Sequence, residues 1–371
     1  MNENKSIEAK LIKEEVDLNM IVETKLDLPD VKWYDVRRAP FEIYGLYDAQ
    51  NEYPFKRMPD DVAIATSKGV TKLYLDTAGG RVRFCTDSSY VAIKAEMPFI
   101  DHRTNMSVLG TSGLDIYEDF LEDGYRSRFC AAFRPAVGIT DGYESVVKFT
   151  KKKLRYFTIH MPSYNHLDNL YIGLEDGAYV GEGKKYKDVA PIIYYGSSIT
   201  QGACASRPGL SYENMIARHI EIDYKNFGFA GNGRAELPII EYLAGLEMSM
   251  FVSDYDHNAS NAAYLRDTHC RLYQTIRAKH PDIPYIMISR PDFAKYNGTG
   301  DSIRRRDVII DTFRYAREIG DENVYYIDGE GFFRSEDEGN CTTDGTHPND
   351  YGFMKMADSI KQTMLHALRK M

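Results

Sequence analysis

From Pro191 onward, short apolar runs alternate with helix-length segments, and this alternation constrains the fold more than any other feature of the chain. The apolar runs fall at 192–195, 222–227, 248–252, 285–288 and 324–327. The helical patterns fall at 210–219, 235–246, 261–279, 302–319 and 350–368. Strands separated in this way by helices form a parallel, doubly wound sheet of five strands with both faces covered. Such a sheet gathers its functional groups in the loops beyond the carboxyl ends of its strands. Those loops are where candidate residues are sought.

The first loop holds Gly196-Ser197-Ser198, a tight polar turn between strand and helix. The second, Asn226-Phe227-Gly228-Phe229-Ala230-Gly231-Asn232-Gly233, can bring backbone N–H groups close to a ligand. The third is Asp254-Tyr255-Asp256-His257-Asn258, the fourth Ser289-Arg290-Pro291-Asp292, and the last runs from Asp344 through His347 to Asp350. A serine is a nucleophile only where a base and an oxyanion site accompany it. His347, three residues after Asp344 and just before a helix, is the best base in the chain.

Taken singly, each of these signals has a plainer reading. The two serines suit a helix N-cap turn, and Gly-rich turns are common. Asp254, Asp256 and His257 are metal-ligand types, but no second ligand cluster accompanies them, so neither a metal nor a cofactor is expected. Arg290 is open between contacting a substrate and pairing with an acid. Cys204 is expected to pack behind the serine turn.

The first half reads differently. After a charged stretch over residues 1–30, treated as an extension, short β-rich segments separated by turn residues begin at Val31. Residues 70–76 and 81–86 flank Thr77-Ala78-Gly79-Gly80 and suggest a hairpin. Further strands are expected at 90–96, 114–117, 127–133, 145–150, 154–161 and 169–174. The pattern predicts an antiparallel sandwich or jelly roll over 31–186, with the α/β domain over 187–371 and the boundary in the polar, glycine-containing stretch 181–188. Nothing in this half stands out as catalytic from spacing. His160 and His166 read as structural or exposed, and Lys151-Lys152-Lys153 as a solvated turn.

Composition narrows the partners. A net charge of −9 over 371 residues argues against nucleic acid, whose binding needs clustered cations. No run of eighteen apolar residues is present, so no membrane partner is expected. The five cysteines are an odd number without metal-type spacing, and the first fifteen residues lack the apolar core of a secretory leader. Both point to a cytoplasmic location. Tyrosine is abundant, at 28 residues; rings that stack on sugar faces would suit a carbohydrate, although strand-forming core tyrosines are the plainer reading.

The ordered set of Ser198, Gly231, Asn258 and Asp344 with His347, at successive loop ends of one sheet, resembles the SGNH hydrolases, also called the GDSL-like esterases and lipases. The resemblance covers roughly residues 190–371. It implies Ser198 as nucleophile, Ser198, Gly231 and Asn258 as the oxyanion hole, and Asp344 and His347 as the closing pair. Gly113-Leu114-Asp115-Ile116-Tyr117 is similar to the Gly-x-Asp-Leu-Tyr motif of a β-domain that precedes some of these enzymes. Two departures stand out: Ser197 occupies the place of the usual Asp, and the usual Gly-x-Asn-Asp block is missing, so Asn258 is chosen over Asn261 by its position after the strand. The implied activity is hydrolysis of short acyl esters, chiefly acetyl, on a small or oligosaccharide substrate. The alternatives are a lipase or thioesterase for longer chains and a silent carbohydrate-binding protein. The β-domain is open to two roles, shaping the cleft and pairing copies of the chain as a homo-oligomer.

Overall fold

The computed structural model describes Val22 and residues 26–121, 127–136, 138–293, 300–333 and 338–370. Most of the extension expected over 1–30, namely residues 1–21 and 23–25, lies outside the described residues. The first half forms two antiparallel sheets. One contains β1 (Val31–Asp35), β4 (Tyr90–Glu96), β7 (Tyr143–Lys148) and β9 (Asn169–Glu175), in the order β1-β9-β4-β7. The other contains β2 (Glu42–Tyr44), β3 (Arg81–Thr86), β5 (Leu114–Asp119), β6 (Ser127–Phe133), β8 (Arg155–His160) and β10 (Val180–Glu182), in the order β10-β3-β8-β5-β6 with β2 on β3. Val82, Phe84, Leu114, Ile116, Phe157 and Ile159 from this second sheet meet Val91, Ile93, Leu170 and Ile172 from the first in one core. That is the sandwich expected from the short, alternating strands.

The residues between these apolar positions are polar, yet they are buried too. Arg81, Arg83, Asp115, Thr158 and His160 are each at most 1% exposed. Side chains alternate faces along a strand, so this polar face is the one turned away from the sandwich core. It is buried because the α/β half packs on it. Arg81 pairs with Asp223 and lies 3.9 Å over the Tyr224 ring. Arg83 donates to the Lys184 carbonyl at 3.0 Å.

One expected hairpin is absent. Residues 60–73 form two short helices, α1 (Asp60–Thr66) and α2 (Lys68–Leu73), with Ser67 capping the second by accepting from the Val70 N–H at 3.2 Å. β3 pairs instead with β2, β8 and β10. Val70 and Leu73 are three residues apart and reach one apolar cluster with Met58 and Ala63, and helical spacing wins over the β propensity of the segment. That cluster belongs to the α/β half, since it includes Ile193, Phe227 and Ile239.

The second half has β11 (Ile192–Gly196), β12 (Tyr224–Gly228), β13 (Met250–Asp254), β14 (Tyr285–Ile288) and β15 (Val324–Ile327) in a parallel sheet ordered β12-β11-β13-β14-β15. Short helices α3 (Val108–Ser112) and α4 (Ser198–Gln201) lie near the strand ends described below. The covering helices are α5 (Tyr212–Ile220), α6 (Leu237–Ala244), α7 (Ala262–Lys279), α8 (Asp301–Glu318) and α9 (Asp350–Leu368). Alternate strand residues divide the core. Ile193, Tyr195, Phe251 and Met287 face α6, α7 and α8, whereas Ile192, Tyr194, Val252 and Ile286 face α5 and α9. Tyr194, Tyr195, Tyr212, Tyr224, Tyr255, Tyr273 and Tyr285 are all among the fully buried side chains, so these tyrosines are core packing. Among the described residues no helix is long and apolar enough to cross a membrane.

Candidate active site

β11 delivers the chain to Gly196, where a Cβ would meet the Asp254 carbonyl at 2.4 Å, so only glycine fits this strand end. Ser197 is fully buried and caps α4: its N–H donates to the Asp254 carbonyl at 3.1 Å and its Oγ accepts from the Ile199 N–H at 3.2 Å. The neutral hydroxyl that replaces the usual Asp therefore holds the turn. Ser198 follows as the first residue of α4. Its Oγ lies 2.9 Å from His347 Nε2. His347 Nδ1 lies 2.8 Å from Asp344 Oδ2.

The tautomer follows from these contacts. A carboxylate only accepts, so Nδ1 carries the hydrogen and Nε2 presents its lone pair to the Ser198 hydroxyl. Asp344 Oδ1 also accepts from the backbone N–H groups of Thr346 at 3.0 Å and His347 at 2.9 Å. Burial would raise the Asp344 carboxyl, but the His347 N–H, the Asn105 amide and the imidazole together hold it well below the usual range. Asp344 is therefore an anion at neutral pH. This chain of groups can take a proton from Oγ and hold it.

Gly231 and Asn258 line the same cleft as Ser198 and His347, which has a volume of about 360 Å³. Gly231 has φ +70° with open space where a Cβ would stand, so the loop turns its backbone to the cleft. Asn258 Oδ1 accepts from the Gly233 N–H at 3.1 Å, which leaves its NH₂ as the available donor. Asn261, by contrast, spends its side chain capping α7 by accepting from Tyr264 N–H at 2.8 Å. Arg290 lines the cleft but its side chain is paired: Nε and Nη2 donate to Asp292 at 2.9 and 3.3 Å, and Nη2 lies 3.3 Å from His257 Nδ1. Its guanidinium and His257 outweigh burial and keep the Asp292 carboxyl well below the ordinary range.

Several groups in or beside the cleft carried no sequence signal. Arg103, Asn105, Met106 and Tyr164 come from the first half. Tyr164 donates its hydroxyl to the Ser198 carbonyl at 3.1 Å, and Asn105 donates to Asp344 Oδ2 at 2.8 Å. Cys204 packs against Asn105 and near Asp344. It is buried at φ +70°, donates to the Asn105 carbonyl at 3.2 Å, and burial next to the Asp344 charge pushes its thiol up to about 11. Among the described residues the trio of metal-ligand types that converges within 4.8 Å is Cys204, Asp344 and His347, and the contacts above already occupy it; Asp254, Asp256 and His257 form no such group.

Gln201 of α4 ties the turn to both halves, donating to Asp76 at 2.8 Å and accepting from the Ala230 N–H at 3.0 Å. Arg57 donates to the Asn226 and Gly228 carbonyls at 3.1 and 2.6 Å and so fixes the glycine-rich loop from the other side.

A five-stranded parallel sheet with a serine on its first strand-end turn, hydrogen-bonded to a histidine of the last loop, defines an α/β domain of the SGNH type. Residues 189–365 match the GDSL-like lipase/acylhydrolase family, and residues 31–180 match the N-terminus of the SGNH-hydrolase type of esterase, known as GxDLY. The second half is thus a domain of this hydrolase family, and the GxDLY β-domain precedes it. Among solved structures it is similar to a Bacteroides ovatus protein described as a GDSL-like lipase, at 27% identity and TM-score 0.81 over 91% of this chain and 98% of that one. The salicylyl-acyltransferase of a tetracycline biosynthetic pathway shares the fold at 19% identity and TM-score 0.72, over 92% and 98% of the two chains. So does an acetyl xylan esterase from the rumen bacterium Butyrivibrio proteoclasticus, at 12% identity and TM-score 0.56, over 91% and 99%. No curated protein sequence matches significantly.

Proposed function

We propose that this hydrolase is a serine esterase that removes short acyl groups, chiefly acetyl, from a carbohydrate. The observation that carries the proposal is the unbroken hydrogen-bond chain from Ser198 Oγ through His347 to Asp344, at 2.9 and 2.8 Å. As Ser198 attacks the ester carbonyl, His347 takes its proton, and Asp344 stabilises the imidazolium that results. The oxyanion is met by the N–H groups of Ser198 and Gly231 and by the Asn258 amide. His347 then returns the proton to the leaving alkoxide, and water activated by the same imidazole releases the acid.

The short-acyl part rests on the cleft. At about 360 Å³ it is near the lower end for small-molecule sites, and Arg103, Asn105, His257 and Arg290 give it polar walls. A hydroxyl-rich leaving group suits such walls, whereas a long acyl chain needs an apolar channel. The acetyl xylan esterase of similar fold lends the fold alone.

Chain-length profiling with aryl esters from acetate to decanoate tests this reading: kcat/KM should be highest for acetate or propionate. A maximum at decanoate would overturn the short-acyl assignment in favour of a lipase or thioesterase. A fluorophosphonate should label Ser198 stoichiometrically; no labelling would leave a silent carbohydrate-binding protein as the better reading. Replacing Asn258 with alanine should lower kcat by about 100- to 1000-fold with little change in KM, the usual cost of one oxyanion donor.

A further inference from the structure

We infer that Asn105 is a positioning residue of the hydrolytic site, an amide supplied by the β-domain that fixes Asp344 and through it the orientation and basicity of His347. The inference rests on the esterase reading above and adds to it a dependence on the N-terminal half. Asp344 Oδ2 takes two side-chain donors, His347 Nδ1 at 2.8 Å and Asn105 Nδ2 at 2.8 Å. The amide must present its nitrogen here, because a carboxylate oxygen offers nothing to a carbonyl. With both lone-pair directions of Oδ2 used, the carboxylate cannot rotate without losing a charged hydrogen bond.

The turn that carries Asn105 is built to hold still. Arg103 and Met106 bridge across it, and Arg103 binds Asp101 Oδ2 through Nε and Nη2 at 2.9 and 2.7 Å. Asp101 is held in turn by Asn165, which accepts its N–H at 2.7 Å, and by Thr111, which donates to its carbonyl at 2.7 Å. Arg103 lies 4.4 Å over the Tyr164 ring, and Tyr164 reaches the Ser198 carbonyl. From the catalytic side the Cys204 thiol donates to the Asn105 carbonyl at 3.2 Å. The backbone of Asn105 is therefore anchored without its side chain. Losing that side chain removes one contact to Asp344 and leaves the turn in place.

The effect on proton transfer has a definite sign. The groups around the Asp344–His347 pair are Ser198 and Cys204 from the nucleophile turn, Asn105 from the β-domain, and Arg103, His257 and Arg290 along the cleft. The side chains of Asn105 and His347 both donate to Asp344. Without the amide, more of the carboxylate charge falls on the imidazolium. His347 then holds its proton to higher pH, and the acid limb of the kcat/KM profile moves up.

The test is a pH profile of aryl acetate hydrolysis for the full chain, with Asn105→Ala, the near-isosteric Asn105→Asp, and Ser198→Ala as background. For Asn105→Ala the plateau should fall about tenfold, as for a lost hydrogen bond to a charged group. Its acid limb should rise by about half a unit, and that of Asn105→Asp, which adds a second carboxylate, by about one unit or more. Acid limbs that coincide with wild type in both variants would overturn the role of Asn105, whatever happens to the plateau, because a general loss of folded protein lowers the rate without moving the limb. A wild-type rate that survives in Ser198→Ala would instead overturn the esterase reading itself, and the Asn105 role with it.

Discussion

Replacing Ser198 with alanine is expected to lower kcat on an aryl acetate by about five to six orders of magnitude, the scale of nucleophile loss in a serine hydrolase, while KM hardly changes. The substrate still meets the same walls and the same oxyanion donors, so binding is preserved and only the attack is lost. No neighbour can take over. Ser197 is fully buried with its hydroxyl committed to the Ile199 N–H, and its replacement by alanine should act on stability, by about 1 kcal/mol for a lost N-cap. The Cys204 thiol, pushed up to about 11, is protonated at neutral pH and lacks a lone-pair partner in His347, whose Nε2 faces Ser198. Steady-state kinetics on the purified variant decides the matter. A residual kcat above about 1% of wild type exceeds what oxyanion stabilisation leaves behind in such enzymes and would remove Ser198 from the reaction.

Much of the α/β half was legible because its signals are local and periodic. The apolar runs at 192–195 and 285–288 fall within β11 and β14, and the pattern over 350–368 coincides with α9. Ser198, Gly231, Asn258, Asp344 and His347 were within reach because a parallel sheet brings its strand ends together whatever the distance along the chain. Other features depended on contacts that no spacing encodes. The 70–76 segment reads as a strand until the α/β core it packs on is known, and then the Val70 and Leu73 spacing makes it helical. Asn105 lies 239 residues from Asp344, in a turn with nothing in its composition to mark it. His160 looks like an ordinary strand-end histidine until the buried face of its sheet is seen. Arg290 stayed open because either partner was chemically reasonable, and the answer came from Asp292 two residues on.

The largest effect on stability should come from Asp115, the acid of the Gly-x-Asp-Leu-Tyr motif. It is fully buried and accepts from His160 Nδ1 at 2.7 Å, from Arg207 Nη1 at 2.7 Å and from the Gly209 N–H at 2.9 Å. Burial pushes the His160 imidazole down to about 4, so at neutral pH it serves as a neutral donor and Arg207 carries the charge. Burial alone would raise Asp115, but His160 and Arg207 hold it below the usual carboxylate range. At the seam between β5 and the segment just before α5, Asp115→Ala leaves His160 and the Gly209 N–H without their acceptor, and Arg207 with the Tyr117 hydroxyl but without this counter-charge. The expected loss is about 3–5 kcal/mol, the usual cost of breaking one side of a buried ion pair. Urea unfolding should be followed by far-UV circular dichroism and by the fluorescence of Trp33, the one tryptophan, which sits in β1 and reports on the β-domain. Because a depressed carboxyl contributes stability above its unfolded pKa and loses it as pH falls through the folded value, the gap between wild type and Asp115→Ala should be full at pH 7 and begin to close below about pH 4. A difference under about 1 kcal/mol at pH 7 would mean that the motif acid does not hold the two halves together, and that the other pairs across the seam, Arg81 with Asp223 among them, carry the junction without it.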